Sequence, residues 1–78
     1  MKSIQVKLGQ AIQRLRKSSG RLEISSQEKL AAVAGINRGY MGSIERGEVN
    51  LSLHNIEKIA KALGITVGQL MTEVDKEK

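Results

Sequence analysis

Ser26-Gln27-Glu28-Lys29-Leu30-Ala31-Ala32-Val33-Ala34-Gly35-Ile36-Asn37-Arg38-Gly39-Tyr40-Met41-Gly42-Ser43-Ile44-Glu45-Arg46-Gly47 is the stretch on which the fold turns. Ser26 is a good N-cap for the run Gln27 to Ala34, and Glu28 puts negative charge in the first turn, where the helix dipole favours it. Gly35 stops this helix after about two turns by taking the left-handed position past its end. Asn37 caps a second short helix that runs to Arg46, with Met41 and Ile44 turned inward, Ile36 packing just ahead of the cap and Gly47 closing it. Only about three residues separate the two helices, and so tight a turn makes them cross steeply instead of lying antiparallel. Ala31 supplies the small side chain at the crossing. Arg38, Gly39, Gly42, Ser43 and Arg46 are left on the outward side of the second helix.

Outward from this pair, Leu8, Ala11, Ile12 and Leu15 recur at three- and four-residue spacing and draw one apolar stripe on a first helix that ends at Gly20. Arg21 to Ser25 read as a loop with Leu22 and Ile24 available to tuck inward. Ser52 caps a further helix with a broad apolar face of Leu53, Ile56, Ile59, Ala60 and Leu63, stopped by Gly64. Thr66 caps a last one bearing Val67, Leu70, Met71 and Val74. The expected helices are 4–19, 26–34, 37–46, 52–63 and 66–74. No stretch alternates with the period of a strand, and prolines and low-complexity linkers are absent, so residues 1–78 read as one all-α, five-helix domain.

Composition narrows what such a domain can do. With 78 residues, no Cys, no Trp, no Phe, one Tyr and one His, the chain has no disulfide framework and no cluster of metal ligands, and it has almost no aromatic surface on which to stack single-stranded bases. A catalytic pocket, a cofactor or a metal is not expected from so small a core, and His54 reads as a solvated helix residue. No apolar run approaches the roughly 18 to 20 residues that cross a bilayer, so a cytoplasmic protein is expected. The formal charge of +5 is unevenly placed. Residues 1–21 hold Lys2, Lys7, Arg14, Arg16, Lys17 and Arg21 with no acid, whereas residues 22–50 set Lys29, Arg38 and Arg46 against Glu23, Glu28, Glu45 and Glu48. An excess at one end suggests a face that meets a polyanion, although a solubilising first helix would look the same.

The two crossed helices form a helix-turn-helix pattern, whose second member can enter a major groove roughly 12 Å wide. Through Ser26-Gln27-Glu28-Lys29-Leu30-Ala31, Gly35-Ile36-Asn37-Arg38, Ile44-Glu45-Arg46-Gly47 and Ile59-Ala60-Lys61-Ala62-Leu63-Gly64-Ile65, the sequence resembles the Cro and lambda-repressor type helix-turn-helix family over about Leu8 to Val74. Asn50-Leu51-Ser52-Leu53-His54-Asn55-Ile56-Glu57-Lys58-Ile59-Ala60, with Leu51 where many relatives have Pro, is most similar to the controller proteins of restriction-modification systems. That resemblance implies a sequence-specific, dimeric transcriptional regulator on a palindromic operator. A phage Cro-like repressor and an antitoxin-type regulator that acts chiefly by holding a partner protein share nearly all of the motif. A sequence-indifferent nucleoid or RNA-binding protein fits less well, because the bases flank a reading helix instead of paving a surface. The family passes from the glycine after the first helix to the next helix within two residues, whereas here Arg21 to Ser26 intervene, leaving the path of that loop open.

Roles follow for single residues. Arg38, in the first turn of the reading helix, can offer guanine O6 and N7 two parallel hydrogen bonds, and Ser43 can meet a base edge. Gly39 and Gly42 each cost roughly 1 kcal/mol of helix propensity, which suggests that close backbone approach to DNA is useful there. The resemblance implies a phosphate or first-base contact for Gln27. Tyr40, Arg46, Asn50 and Ser52 are placed for the DNA backbone, and Arg14, Lys17 and Arg21 for phosphates near the operator ends. The resemblance also places Glu45 against Arg16 as a partly buried salt bridge that orients the domain. Leu51, Leu53, Ile65, Val67, Met71 and Val74 exceed what short helices need for docking and are expected to pair two copies of the chain, while Leu63 and Leu70 belong to the monomer core. Double-stranded DNA and a second copy are the expected partners, with RNA polymerase a further candidate.

Overall fold

The computed structural model describes residues 1–78. Five helices follow one another: α1 (Ile4–Ser18), α2 (Gln27–Ala34), α3 (Arg38–Glu45), α4 (Leu53–Leu63) and α5 (Val67–Asp75), with one 3-10 turn at Leu22–Ile24 and no strand. Each helix begins where a side-chain oxygen captures an otherwise orphaned N–H. Ser3 accepts from Val6 N, Ser26 from Lys29 N, Asn37 from Tyr40 N, Ser52 from Asn55 N and Thr66 from Gln69 N. Gln69 returns a bond from its own side chain to the Thr66 N–H, completing a capping box. The expected starts at 26, 37, 52 and 66 are therefore the caps, one residue ahead of the first helical residue. Gly35 ends α2 at φ 70°, a left-handed conformation that lets its N–H turn back to the carbonyls of Ala31 and Ala32.

The core is one cluster to which every helix contributes, centred on Ile12, Leu30, Met41, Ile44, Ile59, Leu70 and Val74, all nearly inaccessible to solvent. α1 packs on α3 and α5, and α2 packs on α3 and α4. The seat of α1 on α3 depends on a residue that the apolar pattern left out. Gly9 is buried on the inner side of α1, and a Cβ there would lie 2.5 Å from the Ile44 carbonyl oxygen and 2.6 Å from that of Glu45. The absence of a side chain is what lets α1 approach the backbone at the end of α3.

Three expectations are corrected by the packing. Of the two loop residues available to tuck inward, only Ile24 does so; Leu22 is 73% exposed, because a single 3-10 turn can aim only one of two residues spaced by two at the core. Val74 is fully buried and completes the monomer core instead of facing a second copy, since α5 lies flat on α1 and turns this position inward. Arg14, expected on phosphates, spans from α1 to α5. Its Nε donates to Glu77 at 2.8 Å, its Nη1 to Glu73 at 2.9 Å and its Nη2 to the Glu73 carbonyl at 3.3 Å. Those bonds raise the Arg14 pKa, the Glu77 bond most strongly, and they fasten the last helix to the first.

Candidate nucleic-acid interface

α3 has eight residues and two faces. Met41, Ile44 and Glu45 are buried, whereas Arg38, Gly39 and Arg46 are exposed and Ser43 is half-exposed. Gly39, Ser43 and Arg46 follow one another at four and three residues and so share one stripe, with Arg38 beside its start. Along the stripe the groups are linked: the Ser43 hydroxyl donates to the Gly39 carbonyl at 3.3 Å and accepts from Arg46 Nη2 at 3.4 Å. Each arginine on this face also holds an exposed carboxylate. Arg38 Nη1 donates to Glu28, in the first turn of α2, at 3.2 Å, and Arg46 Nε donates to Glu48, just past α3, at 3.0 Å. The Arg46 bond lowers the Glu48 pKa and raises that of Arg46.

Beneath this face lies a buried polar network. Arg16 and Glu45, with side chains 6% and 1% exposed, form a bidentate pair: Nε donates to Oε2 at 2.9 Å and Nη2 to Oε1 at 2.8 Å. Arg16 Nη1 donates to the Ser25 carbonyl at 3.1 Å, so the same guanidinium fixes the chain entering α2. Glu45 Oε1 then accepts from Gln27 Nε2 at 3.1 Å. The first side chain of α2 is thereby tied to the last turn of α3, and the packing of the two helices is held by a polar clamp beside the buried apolar core to which Ala31 belongs. No buried side-chain polar atom lacks a partner, which is the condition under which such a network stabilises a small core.

Gly42 has a different task from the one expected. It is buried, and a Cβ would meet Arg46 Nη1 at 3.2 Å and Gln27 Oε1 at 3.4 Å. Its small size therefore makes room for the side chains that lie over it, whereas Gly39 is exposed, with the Asn37 side-chain oxygen 3.2 Å from where a Cβ would stand. Tyr40 is half-buried against the core, Asn50 accepts from the Gln5 amide, and Ser52 is engaged as the cap of α4. Arg21 donates to Glu23 at 2.8 Å and to the Ala62 carbonyl near the end of α4 at 3.3 Å, so it secures the 3-10 turn to α4. The Glu23 pKa is lowered chiefly by that bond from Arg21. Lys17 has no ion-pair partner and is exposed beside the same turn.

Sequence reading missed the carboxylates Glu28 and Glu48 as partners of the outward arginines, because the spacings of ten and two residues match no helical neighbour rule. It also missed the contact between the start of α1 and the chain leaving α3, where a Cβ on Gly47 would stand 2.6 Å from Val6 Cα. No group of His, Cys, Asp or Glu is placed to hold a metal ion, and no helix is long and apolar enough to cross a membrane.

Two short helices crossed through a tight turn, with a clamped base and one open polar face, define a DNA-binding helix-turn-helix domain. A helix-turn-helix family profile matches residues 12–70, and the chain belongs to that family of transcriptional regulators. Among known proteins it is similar to the control protein C.MunI of a Mycoplasma species, 42% identical over 99% of this chain and 100% of that one. It is also similar to the control protein C.BamHI of Bacillus amyloliquefaciens, 44% identical over 88% of this chain and 82% of that one. Among solved structures, the restriction-modification controller protein C.AhdI from Aeromonas hydrophila superposes with a TM-score of 0.75 at 45% identity, covering 85% of this chain and 94% of that one.

Proposed function

We propose that this chain is the controller protein of a restriction-modification system and acts as a homodimer on a palindromic operator, with the outward face of α3 reading bases. The match to C.MunI along the whole of both chains supports the controller assignment, and two further control proteins, C.BamHI and C.AhdI, resemble it at comparable identity. Arg38 is the proposed guanine reader and Ser43 its neighbour, with Gly39 admitting the backbone. Gln27, Arg46, Tyr40, Asn50, Ser52 and Lys17 are proposed to position the duplex through phosphates. The presence of a single paired-helix unit and its proposed place in the cell, the cytoplasm, accord with such a role.

The observation that carries the dimer is one of scale. A helix of eight residues is about 12 Å long and spans only three or four base pairs, too few to single out an operator. One copy measures 32 × 22 × 20 Å and has one such helix, whereas half-sites lie roughly 34 Å apart. A second copy is needed to reach both. The proposed joining surface starts at Leu53, 79% exposed at the first turn of α4. It continues at three- and four-residue steps through Ile56, Glu57 and Ala60 into a shallow cleft shared with Ile65 and Val67. Leu51 and Met71, both half-buried against the core, are proposed to join it. A footprint at saturation tests this reading: protection of two symmetric half-sites about one helical turn apart supports it, and protection of a single asymmetric site defeats it.

A further inference from the structure

Resting on that reading of α3, we infer that Glu28 is a specificity-determining residue, which holds the base-reading Arg38 in a charge-neutral pair and so suppresses binding to DNA that lacks the operator. Two pairs stand on this face, each an arginine at one end of α3 with an exposed carboxylate from the chain next to it, Arg38 with Glu28 at 3.2 Å and Arg46 with Glu48 at 3.0 Å, and only the first holds the proposed base reader. The charge pattern agrees. Residues 22–50, which hold the whole paired-helix unit, have four acids against three bases, so the part that reads DNA has a net charge of −1 while the protein as a whole has +5.

A carboxylate in this position acts differently on two kinds of DNA. On any duplex a phosphate offers the arginine only what Glu28 already offers, anionic oxygens that accept its hydrogen bonds. The displaced carboxylate is then left facing a polyanion, and like charges so placed disfavour the wrong complex. At the operator, a guanine offers O6 and N7 together at a fixed base edge, which engages two guanidinium nitrogens at one position in the sequence, where Glu28 accepts from one nitrogen of Arg38. Exchange of partners is thus favoured where the correct base stands and opposed elsewhere. Because both pairs are more than half exposed, they add little to folding, and their removal leaves the domain intact.

Glu28→Gln and Glu48→Gln keep the side-chain shape and remove the charge. Asp75→Asn, at the far end of α5, makes the same change in net charge away from α3 and serves as the control. Each protein is titrated with its selected operator and with a random-sequence duplex over a range of salt. One phosphate contact freed per copy steepens the log–log salt slope for the random duplex by about 0.9 for each copy, about 1.8 for the dimer, which at 0.1 M salt is a gain of roughly 60-fold in affinity. The operator should gain less from Glu28→Gln, so the ratio of operator to random affinity falls for that variant and not for Asp75→Asn. Glu48→Gln, which frees the phosphate-positioning Arg46, should tighten both duplexes alike. If operator and random duplex tighten equally for Glu28→Gln, or if that variant matches Asp75→Asn, the inference is overturned while the reading of α3 stands. If the wild-type protein itself prefers no sequence, the reading of α3 fails and takes this inference with it.

Discussion

Replacing Arg16 by Met removes the centre of the buried network and leaves a carboxylate behind. The Glu45 side chain is 1% exposed, and after the substitution its only remaining donor is the Gln27 amide, 3.1 Å from Oε1. Three charge-assisted hydrogen bonds are lost, two of them to Glu45 and one to the Ser25 carbonyl, and an unpaired charge buried in this way costs about 3–5 kcal/mol. A domain of this length has in total about 4–12 kcal/mol, at roughly 0.05–0.15 kcal/mol per residue. Arg16→Met should therefore consume about a quarter or more of the stability and lower the midpoint of thermal unfolding by about 12 °C or more, at about 4–8 °C per kcal/mol for a domain of this size.

The companion variant Arg16→Met with Glu45→Leu separates the cost of a stranded charge from the value of the pair. Apolar replacement of a buried pair is often neutral, and the two groups it leaves behind, the Ser25 carbonyl and the Gln27 amide, belong to residues that keep access to water. Circular dichroism melts and urea titrations should place the double variant within about 2 kcal/mol of wild type and well above the single one. A loss below about 1 kcal/mol for Arg16→Met, or a double variant no more stable than the single, would show that the clamp is not what joins α1, α2 and α3.

Further outcomes follow from other contacts. Gly9→Ala gains about 1 kcal/mol of helix propensity, yet its Cβ would strike backbone atoms 2.5 to 2.9 Å away that cannot rotate aside. Overpacking of that kind costs about 1–3 kcal/mol or more, so a lower melting temperature is expected, and an unchanged or higher one would mean that α1 is free to shift. The pKa of Glu73 is lowered from its ordinary 4.5 by hydrogen bonds first from Lys76 and then from Arg14. A carboxyl depressed by folding contributes stability that is present in full above 4.5 and is lost as pH falls through the depressed folded value. The gap in melting temperature between wild type and Glu73→Gln should accordingly close as the pH is taken from neutral to well below 4.5, and a gap that persists would contradict the clamp between α1 and α5. Leu53→Asp places an acid at the first residue of α4, where the helix dipole favours it. The fold should survive while sedimentation reports single copies, and an undiminished dimer would move the joining surface elsewhere.

Much of this architecture was legible because its punctuation is chemical. Ser26, Asn37, Ser52 and Thr66 are residues whose short side chains satisfy a helix start, and each does so here. Gly35 and Gly64 stop helices at positive φ, and the inward residues follow from the period of 3.6. What escaped were relations that no local pattern encodes. Gly9 looks like a weak point in a helix until the carbonyls of Ile44 and Glu45 are seen against it. Arg14 and Arg21 have the composition of a phosphate-binding face, but carboxylates and carbonyls brought together by the fold occupy them. The basic excess of residues 1–21 is in this respect partly structural, and the neutrality of the reading unit, already visible in the charge count, acquires a geometry only through Glu28 and Glu48.

The central proposal is that two copies of α3 read bases through Arg38. Sequencing of DNA fragments selected by the wild-type protein and by Arg38→Ala tests it most directly. Wild type should enrich a palindrome whose half-sites are centred about one helical turn, roughly 34 Å, apart. Arg38→Ala should lose preference at one symmetric position in each half, with affinity down by about 1–3 kcal/mol. An enriched motif that is identical for the two proteins would make Arg38 a phosphate contact, and no enriched motif at all would contradict base reading by this face.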